Sequence, residues 1–418
     1  MMNIDIIKEI KDLLNENNKI YDGNLYSFSY TKNQINYEEN KNFFIWPSIT
    51  ITGKDSIEKY NELYKKLFNN IVTKKSLSLS LKTFMEATQN LLFENAFTEE
   101  NILDLVNSYK EISIVNVRKI YGLSMEKDFV TYGKYTFIKK EYINRYLENY
   151  QNEDKFSFND SILNDDLDFD FSSQFFVFVI VRYKALDNLY TKPIMDKEMN
   201  ILTNIIRYMT PFKSYRFKVD SIPFMSYKID YMQFTNEGKV TKGTDIIRKD
   251  LCFPIDNDIY MNSTKGNDII FQIISKSQPT ELEKRIIQAL IWVGKALEEN
   301  DNSLIIAEIS FAFETLLYNS DDSYVSKGVV ASISEAYAFI NGINCEERIA
   351  MEKDFKNFYN YRSKICHGTR LVKSDELSVD GYFNMIQNTI TNLLTKYNFK
   401  SCSSCQDIYN TLQRLKYK

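Results

Sequence analysis

Residues 279–300, PTELEKRIIQALIWVGKALEEN, mark the point at which the character of this chain changes. Thr280 followed three residues later by Glu283 is a capping box, in which each side chain satisfies a backbone N–H that a first helical turn leaves unpaired. Pro279 stands just outside the helix. Leu282, Ile286, Leu290, Val293 and Leu297 then recur at steps of three and four, which places them on one helical face. Downstream, Ser303 to Tyr318 is apolar almost all round, with Glu308, Ser310 and Glu314 among its few polar residues, so it should be the buried member of a bundle. Helices are expected over 327–340 and 345–366. The last has Tyr382, Met385, Ile386, Thr389, Ile390, Leu393, Leu394 and Tyr397 on one face. Residues 280–418 therefore read as a helical-bundle domain.

Upstream the pattern is mixed. Met1 to Asn15 reads as an amphipathic helix carrying Ile4, Ile7, Ile10 and Leu14, and Asp55 to Phe68 as a second with Ile57, Tyr60, Leu63, Tyr64 and Leu67. Asn24 to Thr31, Ile49 to Thr52 and Gln174 to Tyr183 read as strands, the last central in a sheet. Ser214 to Phe234 and Asp268 to Ile274 extend the strand count, and Trp46 before Pro47 reads as core. The expected fold class is α+β, a mixed α/β region over 1–275 followed by an all-α bundle. The acidic stretch Asp160 to Asp170 divides the first region into two lobes.

Composition narrows the function classes. The 418 residues carry a net charge of −4, and 44% are hydrophobic, enough for sizeable cores. A nucleic-acid binder with this balance must concentrate its cations locally. The longest purely apolar run, Phe175 to Val181, is far short of a membrane span, and nothing resembles a signal peptide. Five cysteines, an odd number without framework spacing, suit a reducing compartment, so a cytoplasmic location is expected. Cys402 and Cys405 have metal-ligand spacing but no second pair, and structural indifference is favoured over zinc. Asp165, Asp166, Asp168 and Asp170 read as an exposed acidic loop or strand edge rather than a metal site. No phosphate-binding glycine loop occurs, and no cofactor or metal is expected.

The chain has one histidine, His367. Any mechanism needing two histidines from one subunit is excluded, and proton transfer near neutral pH falls most naturally to this imidazole. Arg362 lies five residues earlier, about 140° round a helix. The pair can converge on one phosphate if the helix unwinds at its end, and Gly368 supplies a terminus there. Arginine offers a permanently charged planar fork for phosphate oxygens, while histidine takes or gives a proton. From Phe355 to Lys373 there are five basic residues (Lys356, Arg362, Lys364, Arg370, Lys373) and no acidic one, a local footprint for a polyanion. Lys364 and Arg370 are candidates for holding flanking phosphates, with a solvated basic face the competing reading for each. Cys366 reads as a packing residue.

Arg362 to His367 matches the R-x4–6-H motif of the HEPN superfamily, and Tyr361 to Gly368 resembles the Y-R-(x)4-H-G form of ApeA-like HEPN domains. Trp292 with Ala296-Leu297 resembles that subfamily's first helix, and Phe311 to Leu317, which contains Glu314, its second. The resemblance covers about 280–400. It implies a metal-independent endoribonuclease whose site forms across a homodimer or higher oligomer. Arg362 and His367 would be catalytic, Glu314, Ser363 and Tyr361 supporting, and Lys364, Arg370, Lys356 and Lys373 would bind RNA. It further implies an abortive-infection effector of phage defence, cutting host or phage RNA with tRNA as a candidate. Residues 1–275 would then sense a phage-derived trigger, or an antitoxin would hold the nuclease in check. The competing class is a non-catalytic HEPN dimerisation or RNA-binding module, with residues 1–275 carrying the function.

Overall fold

The computed structural model describes residues 2–17, 43–45, 50–52, 54–93, 95–154, 176–210, 219–220, 228–234, 240–246, 252–261, 263–319, 328–368 and 379–417. The fold class is α+β. The chain divides into two compact units, one of Met1–Asn116 with Arg182–Met195 and one of Val117–Val181 with Asp196–Lys418. The region from 280 onward shares its unit with a sheet built from the first half of the chain.

The first unit gathers α1 (Met2–Asn17), the antiparallel pair β1 (Phe43–Ile45) and β2 (Thr50–Thr52), α2 (Lys54–Ile71), α3 (Leu81–Phe93) and α4 (Glu99–Ser108). On α1 the buried face is Ile6, Ile7, Ile10, Leu13 and Leu14, whereas Ile4, expected on it, is exposed. On α2 the expected Tyr60, Leu63, Tyr64 and Leu67 are buried, with the Tyr60 and Tyr64 rings 4.8 Å apart. Thr98 begins α4, its side chain accepting from Asn101 N.

A four-stranded sheet runs in the order β3, β7, β6, β5: β3 (Ile112–Tyr121), β5 (Phe129–Tyr132), β6 (Tyr135–Ile138) and β7 (Phe176–Ala185), with residues 112–116 of β3 and 182–185 of β7 counted in the first unit and the rest in the second. The β5–β6 and β6–β7 pairings are antiparallel, with Phe137 opposite Val179. β7 is the segment expected at the centre, and five consecutive residues from Val177 to Val181 are buried. A short β4 (Leu123–Ser124) follows β3, and α5 (Ile143–Asp154) and α6 (Asn188–Met209) flank β7 in sequence. β8 (Lys228–Phe234) covers the last part of the strand expected over 214–234 and pairs antiparallel with β9 (Val240–Ile246), a strand not among those expected. β10 (Phe253–Pro254) pairs in parallel with β4. The strand readings over 24–31, the acidic stretch 160–170 and Trp46 lie outside the described residues.

Besides Ile4, three expectations are corrected: Tyr397, read on the apolar face of the last expected helix, lies past that helix's end and is exposed; Cys366, read as a packing residue, is exposed; and one strand is a helix. Asp268 to Ile274, read as a strand, is helix α7 (Asn267–Ser275). The run DIIFQII has apolar residues that suit either period, and such short runs do not separate a strand from a buried helix. The surroundings decide it. Ile270, Phe271, Ile273 and Ile274 are all buried, and the Phe271 ring meets Tyr132, Tyr135 and Phe137 of the sheet at 5.1–6.3 Å.

Beyond 280 every regular element among the described residues is a helix: α8 (Glu281–Ala296), α9 (Asn302–Leu317), α10 (Val329–Asn341), α11 (Cys345–Cys366), α12 (Val379–Thr395) and α13 (Cys405–Lys416). The capping box at Thr280 is present, with Thr280 Oγ1 accepting from Glu283 N and Glu283 Oε2 accepting from Thr280 N. α9 is the buried member, with Ile305, Ile306, Ile309, Ala312, Phe313, Leu316 and Leu317 inaccessible. Phe313 meets Phe355 of α11 edge-to-face at 4.9 Å, and Phe311 meets Trp292 of α8 at 5.2 Å. α13 is an element that the apolar pattern does not announce. Ser404 and Asp407 start it with a second capping box, and Tyr409 Oη donates to Leu317 O at 2.9 Å. Cys405 is buried beside the end of α9.

α8 also packs tightly through Gly294, where a Cβ would lie 2.4 Å from Asn204 O and 2.6 Å from Asn204 Cα of α6. Both obstacles are helix backbone and cannot rotate away. Gly294→Ala should lower stability by ~1–3 kcal/mol through overpacking, despite alanine's better helix propensity. A urea midpoint that stays put or rises would contradict that close approach.

Candidate active site

Helix α11 carries the candidate residues and is built mostly at a surface. Asn344 caps it, its side chain accepting from Glu347 N at 2.8 Å, and Glu346 and Glu347 in the first turn suit the helix dipole. Along 22 residues only Phe355, Phe358 and Tyr359 are buried, at the three- and four-residue spacing of one narrow stripe. The helix ends where the glycine predicts. His367 has left helical geometry (φ −91°, ψ 5°), its N–H donating to Ser363 O at 3.0 Å, and Gly368 follows at φ +65°. A side chain at that left-handed position would be strained.

Arg362 points inward, toward α9. Its Nη2 lies 3.1 Å from Glu314 Oε1. Its guanidinium carbon is 5.2 Å from the Tyr359 ring centroid and 6.0 Å from that of Phe311. Two pairs spaced by three residues, Phe311 with Glu314 on α9 and Tyr359 with Arg362 on α11, thus enclose the charge from both helices. The Tyr359 hydroxyl donates to the same Glu314 Oε1 at 2.5 Å. Burial, and after it this contact with Glu314, push the Tyr359 phenol up to about 12. It therefore remains a donor at any ordinary pH. Arg362 Nε is buried without an acceptor among the described residues.

The remaining expected site residues fall into three groups. His367 and Lys364 are exposed, while Tyr361 and Ser363 are half-buried, with Lys364 Nζ 5.6 Å from the Tyr361 ring centroid. Lys356 is ion-paired to Glu352 at 2.5 Å, one turn upstream and just outside the window that held no acidic residue. Arg370 and Lys373 lie outside the described residues. No hydrogen bond joins Arg362 to His367 among the described residues, as their angular offset on one helix requires. Glu314 and Arg362 are brought together as expected. Tyr359 escapes the sequence reading and Phe311 enters it only as part of a helix resemblance, with no site role, although each stands three residues before a candidate residue, Arg362 and Glu314 respectively.

No family model, no curated protein and no solved structure matches this chain. What the site can do must come from its own groups. A guanidinium clamped on one side by a carboxylate keeps N–H donors for an anion, and an exposed imidazole at the end of the same helix can exchange a proton with solvent or substrate. Among the described residues no three His, Cys, Asp or Glu side chains group as metal ligands, and no helix is long and apolar enough to cross a membrane.

Proposed function

We propose that this protein is a metal-independent HEPN-type endoribonuclease serving as an abortive-infection effector in phage defence. The observation that carries the reading is the Glu314–Arg362 ion pair, which holds a phosphate-seeking cation on the helix that ends in the chain's only imidazole.

In the proposed reaction an RNA 2′-hydroxyl loses its proton to His367 and attacks the adjacent phosphorus. The bond to the 5′-oxygen breaks, and that oxygen takes a proton. The products are a 2′,3′-cyclic phosphate and a 5′-hydroxyl. Arg362 offsets the charge that builds on the non-bridging oxygens, and Glu314 orients it. Base and acid act on opposite sides of phosphorus. One chain has one histidine, so two-histidine proton transfer needs a dimer, in which a two-fold axis brings a second His367 and a second Arg362. Lys364, and Arg370 and Lys373 further along, would hold flanking phosphates. Host or phage RNA, with tRNA as the first candidate, is the proposed substrate, and residues 1–275 the region that answers a phage-derived trigger or an antitoxin.

A second reading has its own observation. Arg362 is already paired and mostly enclosed, which also suits a non-catalytic HEPN dimerisation or RNA-binding module. Incubation of total RNA with the protein in EDTA, followed by sequencing of the new ends, separates the two. Discrete cuts ending in 2′,3′-cyclic phosphate are expected; intact RNA at high protein concentration would leave the binding module.

A further inference from the structure

Tyr359 occupies a position in this cluster that the family motif does not specify. Standing three residues before Arg362, it sets its ring along the guanidinium and sends its hydroxyl across to α9. Glu314 Oε1 thereby receives two donors, the Tyr359 hydroxyl at 2.5 Å and Arg362 Nη2 at 3.1 Å. A carboxylate that met only a guanidinium could turn about its last torsion and hold the cation in several poses, since that torsion is broad. A second donor on the same oxygen, from a buried ring that stacks on Phe355 at 6.3 Å, restricts that freedom.

We infer that Tyr359 is a positioning residue, whose hydroxyl fixes Glu314 Oε1 and through it the direction in which Arg362 presents its remaining N–H groups. This rests on the ribonuclease reading of the site. The phenol keeps its proton across the working pH range, so the device does not switch off by ionisation.

Tyr359→Phe keeps the ring and its packing and removes only the hydroxyl. The expected result is a kcat for RNA cleavage lowered by ~10- to 100-fold through misalignment, with KM changed by less than ~2-fold because ground-state contacts remain. In a Glu314→Ala background the same substitution should have almost no further effect, since the oxygen it acts on is gone. A purely structural tyrosine predicts the opposite: activity per folded molecule unchanged, or equal losses in both backgrounds, and either result overturns the inference. A wild-type protein that cuts no RNA would defeat the ribonuclease reading instead. The inference would then be judged on the Arg362 Nε–Hε NMR signal, assigned by its loss in Arg362→Lys. It should be distinct in the wild type and broadened in Tyr359→Phe, and identical spectra would overturn the positioning role.

Discussion

His367→Ala should abolish RNA cleavage in EDTA, with kcat/KM falling by ~10³-fold or more, because positioned acid–base catalysis contributes ~10²–10⁴-fold per group and the proposed two-fold dimer would lose both imidazoles at once. The same substitution should leave the fold almost untouched. His367 is exposed and lies past the last helical turn, and its backbone N–H bond to Ser363 O is one that alanine retains. Its effect on unfolding free energy should fall within ~0.5 kcal/mol, as for surface substitutions away from special features. This contrast of lost activity with unchanged stability is what distinguishes a catalytic histidine from one that merely ends a helix. In cells, a live nuclease should slow growth when expressed, and His367→Ala should relieve that toxicity. Undiminished cleavage by the variant would remove His367 from the mechanism, and with it the demand for a dimer.

The largest structural effect is expected from Phe313→Ala, a loss of ~3–5 kcal/mol for removing a fully buried aromatic ring. Phe313 is inaccessible and sits among three rings, edge-to-face with Phe355 at 4.9 Å and with Tyr337 at 5.8 Å, and 5.9 Å from Phe358. α9, α10 and α11 all contribute to that cluster, so no single side chain can collapse into the space. Phe355 and Phe358 lie on the stripe that seats α11, and Tyr359 and Arg362 follow directly. Cleavage should therefore suffer as well. The chain holds two compact units, and each can unfold in its own transition. Urea unfolding followed by Trp292 fluorescence in a Trp46→Phe background reports the bundle itself, since Trp292 of α8 packs on Phe311 of α9. Ile349→Ala on the exposed side of α11, at 64% exposure, is the control and should change little. A Phe313→Ala shift under ~1 kcal/mol would mean that the three-ring cluster is not the core of the bundle.

Several elements are legible in the sequence because their signals are local. Thr280 and Glu283 announce the start of α8, Gly368 marks the end of α11, and the all-apolar character of α9 predicts its burial; each depends on hydrogen bonding or burial within one or two turns. The Arg362–His367 spacing is equally visible, whereas Glu314 becomes a candidate only through the resemblance of Phe311 to Leu317 to a family helix. Asp268 to Ile274 is not legible, because a seven-residue apolar run satisfies both periods until the Phe271 ring finds Tyr132 and Phe137 of the sheet. Ile4 fails for the complementary reason. Its helical period is correct, but the stripe that α1 actually buries is centred on Ile10.

By itself, then, the sequence determined the α+β class, the helical region after 280 and the presence of a cation and an imidazole at one helix end. Tertiary structure alone decided where the cation points. Glu314 and Arg362 are 48 positions apart, and only the packing of α9 against α11 turns the arginine inward onto a carboxylate and a phenol while leaving the histidine at the surface. Pairing between helices depends on which faces meet, and that is settled by the aromatic core at Phe313, Phe355 and Phe358 rather than by any spacing along the chain.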